Sequence, residues 1–142
     1  MKEQVLIDPS GYPYVTFGEN PPREIRMPIG PEITDDIRIV TTTIPPMGIS
    51  EGHYHPDSDE YIRFDIPGEA LVGGVKYQVP AGGIIYARKG IIHECRNTDM
   101  ERTLTLYCVF VPAFAPYGRY PELIENTRKY LEKLEDKTNE FI

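Results

Sequence analysis

From residue 44 to residue 90 a glycine or proline interrupts the chain at intervals of eleven residues or fewer. Fourteen prolines and twelve glycines in 142 residues leave little room for long helices there, because proline removes a backbone donor and glycine costs entropy inside a helix. The segments between the breaks are rich in Val, Ile, Thr and aromatic residues, which favour the pleated, half-buried surface of a strand. Residues 37–44, 60–66, 69–72, 75–79, 84–87, 91–96 and 102–111 are therefore expected as strands. Turns are expected at Pro67-Gly68, Gly73-Gly74, Pro80-Ala81-Gly82-Gly83 and Arg88-Lys89-Gly90. Strands spaced about eight to twelve residues apart build a sandwich or a small barrel.

The flanks read differently. Residues 5–7 and 12–17, split by Asp8-Pro9-Ser10-Gly11, are expected as edge strands. Residues 19–26, with Asn20-Pro21-Pro22, read as a loop, and residues 27–33, broken by Pro28, Gly30 and Pro31, as an irregular cover strand. After Pro112, residues 113–120 form an aromatic, Pro- and Gly-rich loop. The one convincing helix spans about residues 121–137, with Pro121 in its first turn and Glu122 and Glu125 near its positive end. Leu123, Ile124, Tyr130, Leu131 and Leu134 make its apolar stripe. The whole reads as one domain of residues 1–142, with a barrel core at about 37–112, N-terminal edge strands at 1–36 and a C-terminal loop and helix at 113–142.

Charge narrows the partners. A net charge of −7 argues against nucleic-acid backbones and anionic membranes. No apolar run is long enough to span a bilayer, and Met1-Lys2-Glu3-Gln4 opens no signal-peptide pattern. Cys95 and Cys108, the two cysteines, imply no disulfide framework, so a reduced cytoplasm is the expected compartment. Edge strands at both ends of a sheet need cover, so a homodimer is expected.

Two of the three histidines stand in Gly52-His53-Tyr54-His55, and Glu60 follows five residues later. If residues 50–56 are extended, His53 and His55 share one face and Tyr54 takes the other. His93, in a second Gly-punctuated strand-turn-strand, completes a set of three histidines and one glutamate for one divalent metal ion. Such a set leaves coordination positions open, as a catalytic site requires. Its donors suit Fe, Mn, Ni or Zn.

These stretches resemble the two motifs of the cupin superfamily. The first reads Gly48, four residues, His53-x-His55, four residues, Glu60, seven residues, Gly68; the second reads Gly82, five residues, Arg88-x-Gly90, two residues, His93, three residues, Asn97. The departures are one-residue shifts at both ends of the first motif and Arg88 where the family has proline. The resemblance covers about residues 37–112. It implies an all-β, double-stranded β-helix (jelly-roll) barrel with a C-terminal α-helix, and a metal inside bound by His53, His55, Glu60 and His93. The stretches Glu51-Gly52-His53-Tyr54-His55, Gly83-Ile84-Ile85-Tyr86 and residues 110–117 are also similar to the cupin-type glucose-6-phosphate isomerases of archaea. That family spaces its glutamate further from the histidines and carries another histidine after the last strand.

Around the metal, period-two alternation puts Ile62 and Phe64 on the face of Glu60, lining the pocket, with Tyr61 and Arg63 outward. Cys95 shares the face of His93, a thiol beside the ligands. Asn97 locks its own turn by bonding backbone, and Gly82 and Gly90 take turn geometry that aims His93 inward. Arg63, Lys76, Arg88 and Lys89 are candidates to bind an anion. Arg88 is the foremost, and Tyr86, two residues before it, is a candidate to position substrate. Three functions stay open: a dioxygenase-type enzyme acting on a small polar or anionic molecule, a sugar (phosphate) isomerase, and a non-catalytic small-molecule-binding barrel.

Overall fold

Ten strands and one helix follow one another in the computed structural model, which describes residues 6–115 and 120–140. The strands are β1 (Val15–Phe17), β2 (Arg23–Ile29), β3 (Arg38–Ile44), β4 (Ile49–His53), β5 (Asp59–Phe64), β6 (Gly68–Val72), β7 (Val75–Val79), β8 (Ile84–Ala87), β9 (His93–Arg96) and β10 (Leu104–Val111), followed by α1 (Tyr120–Glu140). They form a six-stranded sheet of order β1-β2-β3-β10-β5-β8 and a four-stranded sheet of order β4-β9-β6-β7. Every pairing is antiparallel. The chain crosses repeatedly from one sheet to the other, as a jelly roll does, and the apolar faces meet between them.

β10 shows how sequence dictates the core. Leu104, Leu106, Cys108 and Phe110 are buried while Tyr107 and Val111 are exposed, the alternation of a strand with one face inside. Its neighbours follow in register: Cys108 lies opposite Val40 on one side and Ile62 on the other, and Phe110 lies opposite Glu60. Each fully buried Leu, Ile or Phe of this kind contributes about 1.5–3 kcal/mol. The β6–β7 hairpin closes through Gly73 and Gly74, both at positive φ (55° and 82°), as a two-residue primed turn demands.

The N-terminal third departs from the sequence expectation. Leu6 and Ile7 are not in a strand, Val5 lies outside the described residues, and only Val15–Phe17 of the second expected edge strand pairs. The expected loop and broken cover strand merge instead into β2, which pairs with both β1 and β3. Pro28 is tolerated because the β2–β3 register shifts between Arg26 and Ile29 and β1 pairs only with Arg23–Ile25; no ladder donor is needed at the proline. Met27 and Pro28 are both buried.

α1 buries Leu123, Thr127 and Leu131, one row at four-residue spacing. It packs alongside β2, and Tyr130 meets Tyr12 with ring centroids 5.0 Å apart. Ile124, Tyr130 and Leu134 are half-buried at the margins of that row. Of the loop expected at 113–120, residues 116–119 lie outside the described residues. Among the described residues no helix is both long and apolar enough to cross a membrane.

Candidate metal centre

The four expected donors converge although they come from both sheets and a loop. His53 ends β4 and His93 begins β9, and the two face each other in register. Glu60 stands on β5 of the opposite sheet. His55 lies beyond the end of β4, in the β4–β5 connection, but Tyr54 is exposed and His55 buried, so the alternation carries through. The donor atoms all lie within 4.8 Å of one another.

Backbone hydrogen bonds set these positions. Gly90, at φ 81°, donates its N–H to the His55 carbonyl at 2.8 Å, which ties the turn before His93 to the segment carrying His55. Next to it the Lys89 N–H donates to Asp59 Oδ1 at 2.9 Å, bracing the neighbour of Glu60. His55 is walled by Phe110 and Phe114, with ring centroids 4.8 and 6.5 Å away. Below the site Asn97 Nδ2 donates to the carbonyls of Ile44, Pro45 and Arg102 at 2.9–3.0 Å, and its Oδ1 accepts from the Asp99 N–H. Asn97 is thus structural, though it ties three segments rather than its own turn alone.

The ring nitrogens decide what the cluster can hold. His53 Nδ1 lies 2.7 Å from the Glu51 carbonyl, and His93 Nδ1 lies 3.1 Å from the Ile91 carbonyl. A carbonyl only accepts, so both Nδ1 atoms carry hydrogen and each ring is left its Nε2 lone pair to offer a metal. Metal-bound histidines are held by the same outer hydrogen bond. Glu60 Oε1 sits 2.8 Å from His93 Nε2 and 3.3 Å from His55 Nε2. Yet neither Glu60 Oε1 nor His93 Nε2 has a partner of good hydrogen-bond geometry, and both are buried. Such atoms cost free energy unless a cation lies between them. A divalent ion, with bonds of about 2.0–2.2 Å to imidazole and carboxylate, fits this donor chemistry.

A proton is the other cation that can serve. Burial opposes charge on Glu60, but the imidazoles of His55 and His93 outweigh it and hold the carboxyl below its usual range. Burial likewise opposes charge on His93, and the Glu60 carboxylate more than offsets it, so His93 is raised. His53, where burial dominates, is lowered. The Glu60 carboxylate thus favours a cation among the imidazoles.

The donors open on an inner chamber of about 40 Å³ walled by Ile25, Val40, Ile62 and Leu106, the hydroxyls of Thr42 and Ser50, and the two thiols. It leads past His53, Arg23 and Tyr120 into an outer hollow of about 280 Å³ bordered by Phe17, Glu51 and Tyr54. Ile62 lines the chamber, as does Cys95; burial pushes the Cys95 thiol up, so it stays protonated. Phe64 is on the inner face and fully buried, but it does not reach the chamber. It lies four residues beyond Glu60, about 13 Å along the strand at 3.3 Å per residue, and its ring packs against Gly68.

Tyr86 and Arg88 are not at the chamber. On β8 the inward residue is Ala87, so Tyr86 points out, stacks on Tyr61 at 4.9 Å and donates to Asp59 Oδ2 at 3.2 Å. Arg88 is exposed on the following turn, and Arg63, Lys76 and Lys89 are exposed as well. The residues that sequence reasoning missed are Arg23, Tyr120 and Cys108. Cys108 was legible from the alternation of β10. Arg23 carried a weaker signal, the Arg23-x-Ile25-x-Met27 alternation, hidden by two preceding prolines.

No protein-family model and no curated protein matches the sequence. Solved structures do match the fold. A protein described as a predicted oxalate decarboxylase from Thermotoga maritima superposes with a TM-score of 0.67 at 17% identity, covering 75% of this chain and 98% of its own. An RmlC-like cupin from Shewanella frigidimarina gives 0.64 at 14% identity, over 78% and 93% of the two chains. KdgF from Halomonas sp. gives 0.58 at 16%, over 69% and 86%. The strand order, the jelly-roll crossing and these superpositions lead to one conclusion: the chain has the double-stranded β-helix fold of the cupins.

Proposed function

We propose that this chain is a metal-dependent enzyme that transforms a small polar or anionic molecule, with oxygen chemistry of the dioxygenase kind as its reaction class. The observation that carries the metal is the convergence of His53, His55, Glu60 and His93 with Glu60 Oε1 and His93 Nε2 left without directed partners. A bound divalent ion would supply Lewis acidity and, for a redox metal, electron transfer to oxygen. The fold alone does not decide among chemistries, so the reaction class rests on the chamber.

Proton-transfer isomerisation needs a base close to the substrate. Among the described residues that line the inner chamber, every histidine and carboxylate belongs to the donor set, and burial holds both thiols protonated. Glu51 in the outer hollow is paired with Arg23 and held below its usual range by its own backbone N–H and by that pairing, which outweigh burial. It is a weak base. Beside its apolar side chains the remaining wall carries the hydroxyls of Thr42, Ser50 and Tyr120 and the Arg23 cation, none of them a carboxylate or an imidazole, which suits a reaction run by a metal rather than by proton shuttling.

The test is elemental mass spectrometry on protein purified anaerobically without a histidine tag, beside a His53→Ala/His93→Ala control. About one equivalent of iron, lost in the control, followed by oxygen uptake with small organic substrates, is the expected result. Redox-silent metal with sugar phosphate turnover would replace the dioxygenase class by the isomerase. No metal in either sample after reconstitution would overturn the metal centre.

A further inference from the structure

The outer hollow has a cation on its wall, Arg23, that keeps hydrogen-bond donors to spare beyond its pair with Glu51. The Arg23 side chain is 11% exposed, borders both the inner chamber and the hollow, and lies over the Phe17 ring at 5.7 Å. A guanidinium carries five N–H donors. Among the described residues Arg23 spends only one nitrogen, Nη1, which donates to Glu51 Oε2 at 2.7 Å. The other oxygen of Glu51 accepts from Asn20 Nδ2 at 3.3 Å, and no second nitrogen of Arg23 donates to either oxygen. One edge of the guanidinium remains for a ligand.

Glu51 also ties this cation to the donor cluster. Its carboxylate orients Arg23, and its backbone carbonyl accepts from His53 Nδ1. The arginine and a donor histidine are thereby fixed to one residue. Charge points the same way: three neutral imidazoles, one carboxylate, a divalent ion and the Arg23–Glu51 pair leave one net positive charge in a chain of net charge −7. The hollow, at about 280 Å³, lies just below the roughly 300–1,000 Å³ range of drug-sized ligand pockets, a size for a small molecule.

We infer that the molecule acted on is a small organic acid whose carboxylate is bound by the free edge of Arg23, with its remaining atoms directed to the donor cluster. The inference rests on the metal-enzyme reading above and adds the substrate class. A carboxylate is favoured over a phosphate ester because a planar fork of two oxygens matches a guanidinium edge and because one net charge is available to neutralise.

The test uses Co(II)-loaded protein and ligand-observed NMR titration with propionate, its neutral isostere propionamide, and methyl phosphate, with cobalt content measured in each sample. Charge-assisted hydrogen bonds are stronger than neutral ones, so propionate is expected to bind about tenfold or more tighter than propionamide, tenfold being about 1.4 kcal/mol. Arg23→Gln should remove that difference at unchanged cobalt content, and Arg23→Lys should keep part of it. Equal binding of acid and amide to the wild type, a measurement that needs no variant to fold, would overturn the inference. So would propionate affinity indifferent to Arg23→Gln, or methyl phosphate binding tighter than propionate. If the wild type takes up no cobalt, the metal reading fails by itself. Arg23-dependent propionate binding to that metal-free protein would still support the anion site, and none would remove both.

Discussion

The cavity has two walls, built on different principles. On one, His53, His55 and His93 sit on short segments tied to backbone: the Gly90 N–H donates to the His55 carbonyl, and the imidazoles of His53 and His93 each donate to the backbone carbonyl two residues before them. On the other, Arg23 is held chiefly by its side-chain pair with Glu51, twenty-eight residues away in sequence. Backbone ties survive most side-chain changes and fix angles closely. A side-chain ion pair is adjustable and is lost when either partner moves. A wall that must hold several donors around one ion needs the first kind of construction, and a wall that recognises a ligand can use the second.

The largest effect should follow from breaking the donor wall at its centre. His93→Ala removes a ligand outright, so cobalt affinity should fall by more than the roughly 10–100-fold that loss of an outer partner costs. Thermal unfolding gives a second readout. With free cobalt at about one hundred times its Kd, the wild type should gain about 2.7 kcal/mol, which for a domain of this length raises the midpoint by about 9 °C. The variant should show none of that gain. A rise of similar size in both would mean that the ion binds elsewhere.

A matched pair of glycines sharpens the comparison at intermediate magnitude. Gly90 on the donor wall has φ 81° with open space around it, and Gly18 on the arginine wall has φ 76°. Alanine at either position costs about 1–2 kcal/mol of backbone strain. Their functional effects should separate. Gly90→Ala strains the turn whose N–H bonds His55, and metal affinity should fall. At Gly18 an added Cβ would stand 2.9 Å from both Arg23 Nη1 and Glu51 Oε2. These are ends of movable side chains, so the pair shifts rather than the backbone, and propionate affinity should fall at full cobalt content. Loss of cobalt in Gly18→Ala would show that the two walls are not independent.

The donor wall was legible in the sequence and the arginine wall was not, for reasons of range. His53-x-His55, the short span to Glu60 and the glycine before His93 are local patterns, and period two carries them directly to a face. The face of Phe64 was equally readable, but its depth was not, because periodicity says nothing about where along a strand the chamber ends. Arg23 needed knowledge that β2 exists despite Pro28, and that rests on a register shift against β3, a long-range property. The side of Tyr86 was unreadable for a third reason. Ile84-Ile85-Tyr86-Ala87 has no polar–apolar alternation, so only pairing with β5, which sets Tyr86 opposite outward Tyr61 and Ala87 opposite inward Glu60, settles its side.

That last case yields the smallest effect. Tyr86→Phe deletes one exposed hydrogen bond to Asp59 and keeps the stack on Tyr61, while Asp59 retains the Lys89 N–H through its other oxygen. Arg88→Ala removes a solvated charge. Surface changes of this type stay within about 0.5 kcal/mol, so neither should move the unfolding midpoint by more than about 2 °C. Neither should alter cobalt stoichiometry or propionate affinity, because neither side chain borders the chamber or the hollow. A tenfold loss of propionate binding in Arg88→Ala, with Arg23→Gln unaffected, would exchange the two arginines. The anion-binding surface would then lie on the outside of β8, and the inner wall would be left with the metal alone.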